Sequence, residues 1–66
     1  MGEYLTMAEA IAKVRPGTWR YVKDVKKPSG YTYRRFWNES SDKGEEIDAY
    51  FSDDGLDLLD PEQEGN

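Results

Sequence analysis

Carboxylates are the side chains with the most obvious capacity for chemistry in this 66-residue sequence, which holds 14 Asp and Glu but neither Cys nor His. Pairs such as Asp53 with Asp54, or Asp57 with Asp60, could in principle form a hydrolase site or a calcium site. Glycoside hydrolysis requires a sugar-sized cleft between its two carboxyl groups, and so short a chain has no room for one. Residues 53–57 also lack the alternating ligands and closing Glu of a calcium loop. We therefore predict a protein that is not an enzyme and uses no metal or cofactor.

The missing residue types narrow the classes of function further. Without Cys the chain has no disulfide, thiolate nucleophile or thiolate zinc site, and without His it lacks the commonest general base near neutral pH. No apolar run approaches the roughly 18–20 residues of a membrane span, and the first residues do not read as a signal peptide. These features favour a cytoplasmic protein with no membrane partner.

Charge is distributed unevenly along the chain, whose net charge is −5. Residues 13–35 hold eight basic residues and one acid, whereas residues 36–66 hold one basic residue and eleven acids. One interpretation is a solvated surface that keeps a small domain in solution. The other is two patches, one basic and aromatic and one acidic, each with its own partner.

The acidic segment is the leading candidate for a binding surface. On a strand, Glu46 and Asp48 would stand about 6.6 Å apart, which is similar to the phosphate spacing along a nucleic-acid strand. A rigid array of this kind could occupy the cationic surface of a nucleic-acid-binding protein. The predicted acidic face comprises Glu45, Glu46, Asp48, Asp53, Asp54 and Asp57.

The alternative surface is a basic, aromatic hairpin over residues 18–37. Aromatic rings beside cations suit base stacking and phosphate contact, so this hairpin could bind nucleic acid directly. The competing interpretation is structural, because a chain with so few aliphatic residues needs its aromatic rings in the core. The predicted nucleic-acid face comprises Arg20, Lys23, Arg34, Arg35, Tyr33 and Trp37.

A helix is predicted before these segments. Thr6 and Glu9 fit a capping box, and Pro16 followed by Gly17 ends the helix at about residue 15. Met7, Ile11 and Val14 follow the i, i+4, i+7 spacing of one apolar stripe, which we expect to pack on the sheet.

Two strands are predicted over residues 18–27 and 31–38, joined by the turn at residues 28–30. This turn places Lys27 opposite Tyr31, which sets the register of the hairpin. The register predicts five further cross-strand pairs: Val25 with Tyr33, Lys23 with Arg35, Tyr21 with Trp37, Asp24 with Arg34, and Val22 with Phe36.

Residues 45–52 fit either a strand or a helix, and we favour the strand because a turn signal at residues 53–55 and an alternating segment follow it. The predicted fold class is α+β, with one N-terminal helix packed on a small antiparallel β-meander of three to four strands. Residues 1–60 form a single domain in this interpretation, and residues 61–66 form a flexible acidic C-terminal tail.

In profile, the chain resembles the small acidic proteins with which phages disable host machinery, including anti-CRISPR and DNA-mimicking antirestriction proteins. The resemblance rests on short length, acidic charge, lack of Cys and a single α+β domain, and it assigns no residue. It implies an inhibitor that occludes the surface of a nucleic-acid-binding or defence complex in the host cytoplasm, without chemistry. The expected partner is therefore a protein, direct nucleic-acid binding is the alternative, and monomer or homodimer stays open.

Overall fold

One helix precedes four strands in the computed structural model of the chain, which describes residues 6–61. The strands form a single antiparallel sheet in chain order, so the predicted α+β fold with an N-terminal helix and a β-meander is confirmed. Residues 45–52 contain the predicted strand. The elements are α1 (Met7–Val14), β1 (Trp19–Lys26), β2 (Thr32–Asn38), β3 (Glu46–Ser52) and β4 (Gly55–Leu59).

Helix α1 begins at the predicted capping box. Glu9 N–H donates to Thr6 Oγ1 at 3.1 Å, and Thr6 N–H donates to Glu9 Oε1 at 3.0 Å. The predicted stripe is wrong at Val14, which is 62% exposed. The buried face is centred between Ala8 and Ile11, and at 3.6 residues per turn Val14 lies about 90° to one side of that centre.

The first hairpin joins β1 and β2, and its register near the turn is the predicted one. Asp24 pairs with Arg34, Lys23 with Arg35 and Val25 with Tyr33. A β-bulge between Tyr21 and Lys23 then shifts the strand by one residue. The predicted pairs Tyr21–Trp37 and Val22–Phe36 are therefore wrong: Arg20 faces Trp37, and the Tyr21 ring meets Phe36 edge-on, with ring centroids 5.9 Å apart.

The core lies between α1 and one face of the sheet, which we call the helix face. Its buried side chains come from the helix and from the first three strands. The Trp19 indole also donates from Nε1 to the Arg15 carbonyl at 2.9 Å, which fixes the end of the helix against β1. The buried cluster comprises Ile11, Trp19, Phe36, Ile47 and Ala49, with Met7, Ala8, Ala12, Leu56 and Leu58 partly buried around it.

The second hairpin joins β3 and β4 in a regular register from Asp48–Leu59 to Ser52–Gly55.

Helix α1 has eight residues, and the described residues 6–61 contain no apolar helix of membrane-spanning length. The predicted tail at residues 61–66 lies outside the described residues apart from Pro61, as do residues 1–5 of the predicted domain.

Candidate protein-binding site

The turn between β3 and β4 presents two exposed carboxylates, Asp53 and Asp54. The Ser52 hydroxyl stabilises this turn, because it accepts from the Asp54 N–H at 3.2 Å and donates to the Gly55 carbonyl at 3.1 Å. Gly55 has a φ of +123°, a conformation that other residues rarely adopt. Across the described part of the chain, no salt bridge reaches Asp53 or Asp54, so both charges are offered to solvent.

A row of three tyrosines lies beside this turn. The ring centroids of Tyr31 and Tyr50 are 5.1 Å apart, and those of Tyr50 and Tyr33 are 5.2 Å apart. Tyr31 is 55% exposed, whereas Tyr33 is buried. The Tyr33 hydroxyl donates to Asp57 Oδ2 at 2.5 Å, which fixes the inner end of the row against β4.

The tyrosine row and the acidic turn together line an open groove of about 350 Å³, which we call the tyrosine–aspartate groove. No Lys or Arg is among the described residues that line it. Aromatic faces attract cations, and carboxylates pair with them, so the groove suits Lys and Arg side chains. Its principal lining residues are Tyr31, Tyr50, Phe51, Asp53, Asp54 and Asp57.

Asp48 does not belong to an exposed acidic face, because its side chain is fully buried. Its Oδ2 accepts from Lys27 Nζ at 2.5 Å, while Arg35 donates from Nε to Oδ1 at 2.7 Å and from Nη2 to Oδ2 at 3.1 Å. Burial alone would raise the pKa of Asp48, but the hydrogen bonds from Arg35 and Lys27 outweigh it and lower the pKa. Asp48 is therefore an ionised counter-ion for two cations, and its predicted place on an exposed acidic face is wrong.

The other predicted acidic residues lie at two opposite ends of the second hairpin. Glu45 and Glu46 lie where β3 begins, and Glu45 accepts from Arg15 Nη1 at 3.4 Å and from Asn38 Nδ2 at 3.1 Å. Asp53 and Asp54 follow the end of β3, about 20 Å away along a strand of this length. The six residues therefore do not form one exposed face: Asp53, Asp54 and Asp57 line the tyrosine–aspartate groove, whereas Glu45 and Glu46 line a separate one.

The basic residues of the alternative surface are also divided. Tyr33 is buried, Arg35 binds Asp48, and Arg20 Nη1 pairs with Glu39 Oε2 at 2.7 Å. The strand register places Arg34 on the helix face. The other five predicted residues lie on the opposite face: Arg20, Lys23, Tyr33, Arg35 and Trp37.

Sequence reasoning missed the groove because its residues were assigned to two different surfaces. Tyr31 belongs to the basic hairpin of the sequence, whereas Asp53 and Asp54 belong to its acidic segment.

For the pairing of Asp48, by contrast, the sequence did contain a signal. The predicted register places Lys23 directly opposite Arg35, and like charges at such a pair require a counter-ion. The neighbouring strand supplies that counter-ion, because Asp48 pairs with Arg35 across β2 and β3.

Residues 6–61 contain no group of three or more acidic side chains close enough together to hold a metal ion.

Comparison with known proteins assigns no family to the chain. No protein-family model, curated protein or solved structure matches the sequence or its fold.

Proposed function

We propose that this chain is a small binding protein that occludes a cationic surface of a protein partner, without chemistry. The supporting observation is the tyrosine–aspartate groove, in which unneutralised carboxylates stand beside a row of aromatic rings. The proposed partner is a nucleic-acid-binding or defence complex in the cytoplasm, because such a complex carries the exposed Lys and Arg that the groove suits.

The two kinds of side chain in the groove make different contributions to binding. Exposed carboxylates accelerate encounter and orient a cationic partner, but each exposed pair adds little affinity. Tyr31, which is 55% exposed, and its neighbour Tyr50 supply rigid contact area and faces for cation–π contact. The rings therefore contribute most of the affinity, and Asp53 and Asp54 contribute selectivity for positive charge.

The proposal is tested by affinity capture from host lysate treated with nuclease, followed by mass spectrometry. The matched baits are Asp54→Asn, Tyr31→Ala and a control, Asp42→Asn, which removes one exposed carboxylate outside the groove. We expect the parent chain and the control to retain the same protein, and both groove variants to retain less of it. The recovered partner should then lose its own nucleic acid when the chain is added.

Two results would contradict the proposal. A partner that keeps its nucleic acid while bound to the chain would exclude occlusion. Equal capture by all four baits would exclude the groove as the contact. Recovery of nucleic acid alone, with gel retardation at low salt that Arg34→Glu abolishes, would favour the alternative function of direct nucleic-acid binding.

A further inference from the structure

Strand β4 is an outer strand of the sheet, and its free edge has a defined set of backbone groups. A two-residue loop at Asp53 and Asp54 is closed by Ser52 and Gly55, and such a closing pair exchanges both of its backbone hydrogen bonds. Hydrogen-bonded pairs then alternate along the ladder. The N–H and C=O groups of Leu56 and Leu58 therefore point away from β3, towards the outside of the sheet.

The opposite edge of the sheet, on β1, is protected in ways that β4 is not. A bulge interrupts β1 between Tyr21 and Lys23, and charged residues occupy the outward-facing positions between the bulge and the turn. These positions are Asp24 and Lys26, because Lys27 N–H bonds inward to the Tyr31 carbonyl. Bulges and edge lysines are devices that prevent strand addition. Strand β4 has a regular register and neither Lys nor Pro, and no strand within residues 6–61 pairs with its outer edge.

The side chains of β4 define what a neighbouring strand must present. Leu56 and Leu58 lie half-buried on the helix face, at the margin of the core. Asp57 lies on the opposite face, where it accepts from the Tyr33 hydroxyl and forms no salt bridge with a described residue. A complementary strand therefore has apolar residues on one face and Lys or Arg on the other.

We propose that the free edge of β4 binds an extended segment of the partner protein as a fifth strand, with apolar and cationic residues alternating along it. This inference rests on the proposed function and adds its binding mode, because the tyrosine–aspartate groove adjoins the same strand through Asp57. A second copy of the chain fits this edge less well. Pairing β4 with itself brings two Asp57 carboxylates together, and pairing it with β1 meets the bulge.

A 66-residue chain is within reach of chemical synthesis, so the edge is tested by removing a single outward N–H. One synthetic chain carries a methyl group on the backbone nitrogen of Leu58. The matched control carries it on the backbone nitrogen of Lys26, at the outward position of the opposite edge. The probe is a capped six-residue peptide of alternating Val and Lys, with a second peptide of the same composition in a blocked order as its control.

We expect the alternating peptide to bind the parent chain and to slow amide hydrogen exchange at Leu56 and Leu58. Loss of a backbone hydrogen bond in the Leu58 chain should weaken binding by about tenfold, while the Lys26 chain binds normally. Circular dichroism of both chains verifies that they fold. A fold lost only in the Leu58 chain would also overturn the proposal, because it would mean that this N–H bonds within the protein.

Other outcomes separate this inference from the proposed function. No binding of the alternating peptide at about 1 mM would overturn strand addition. So would equal affinity of the parent and Leu58 chains, or equal binding of the blocked peptide. If the Leu58 chain still captured the lysate partner while Tyr31→Ala did not, the groove would remain and the fifth strand would be excluded. Concentration-dependent dimerisation with protection of Leu56 and Leu58 would assign the edge to a second copy.

Discussion

The two hairpins carry opposite charge, but their charged groups have different fates in the fold. In the first hairpin, Arg35 and the turn residue Lys27 are bound to Asp48, and Arg20 pairs with Glu39. In the second hairpin, Asp48 is neutralised by these two cations, whereas Asp53 and Asp54 form no salt bridge with a described residue. Charge therefore cancels where the hairpins meet at β2 and β3 and survives at the outer turn. A charge count along the sequence does not distinguish these two situations.

The largest expected effect comes from removing the shared counter-ion with Asp48→Ala. Two cations would stay beside an emptied, water-excluded position, and breaking a buried ion pair costs about 3–5 kcal/mol. In a domain this small, such a loss abolishes most of the free energy of unfolding. Urea titration of Asp48→Ala should show little folded protein. The free energy of unfolding of the control, Asp53→Ala, should lie within about 0.5 kcal/mol of that of the parent chain. Similar losses in both variants would contradict the distinction between a buried, paired carboxylate and an exposed, unpaired one.

Two phenylalanines provide a second comparison, because both lie on the helix face but in different hairpins. Phe36 is 5% exposed within the core, whereas Phe51 is 48% exposed beside the acidic turn. Phe36→Ala should lower the free energy of unfolding by about 3–4 kcal/mol, through lost burial and the cavity left behind. Phe51→Ala should cost less than about 1 kcal/mol, because its ring lies outside the core. A large stability loss in Phe51→Ala would place that ring in the core.

The sequence predicted the local parts of this architecture well. The capping box at Thr6 and Glu9, and the turn-proximal pairs Lys23–Arg35 and Asp24–Arg34, were accessible because they depend on neighbouring residues and turn chemistry. The bulge after Tyr21 could not be predicted in this way. Strand β1 has apolar and charged residues on both faces, so an inserted residue does not interrupt a visible alternation.

The burial of Asp48 was missed for a different reason. Alternation in β3 correctly predicts Asp48 on the face opposite Ile47 and Ala49, and the pattern of β3 alone predicts that this face is exposed to solvent. Long side chains from the first hairpin cover it there, and their reach is not encoded in the pattern of β3. The predicted acidic site has six residues, and three of them are the carboxylates that line the tyrosine–aspartate groove.

The pH dependence of stability offers a smaller test of the same buried charge. The pKa of Asp48 is lower in the folded protein than its ordinary value of 3.8. Its contribution to stability is therefore complete above that value and is lost as pH falls through the lower folded pKa. Thermal unfolding of the parent chain should show this loss on the acid side. Asp48→Asn, if it folds, should be less stable at neutral pH and show a shallower acid dependence, whereas Asp42→Asn should follow the parent.

The smallest expected effects concern the exposed charges, and here the two hairpins should differ in sign. Arg20→Gln removes an exposed ion pair with Glu39 and should lower the free energy of unfolding by about 0.2–1 kcal/mol. Asp54→Asn removes no ion pair within residues 6–61 and relieves repulsion with Asp53, so it should leave stability unchanged or raise it slightly.

Salt separates these two cases in the same urea titrations. Screening weakens an attraction, so salt should reduce the stability difference between Arg20→Gln and the parent chain. Screening also weakens a repulsion, so any stability gained in Asp54→Asn should shrink as salt is added. A clear loss of stability in Asp54→Asn at low salt would mean that its carboxylate has a stabilising partner within the protein. The acidic turn would then belong to the fold, as Asp48 does, and its charge would not be available to a binding partner.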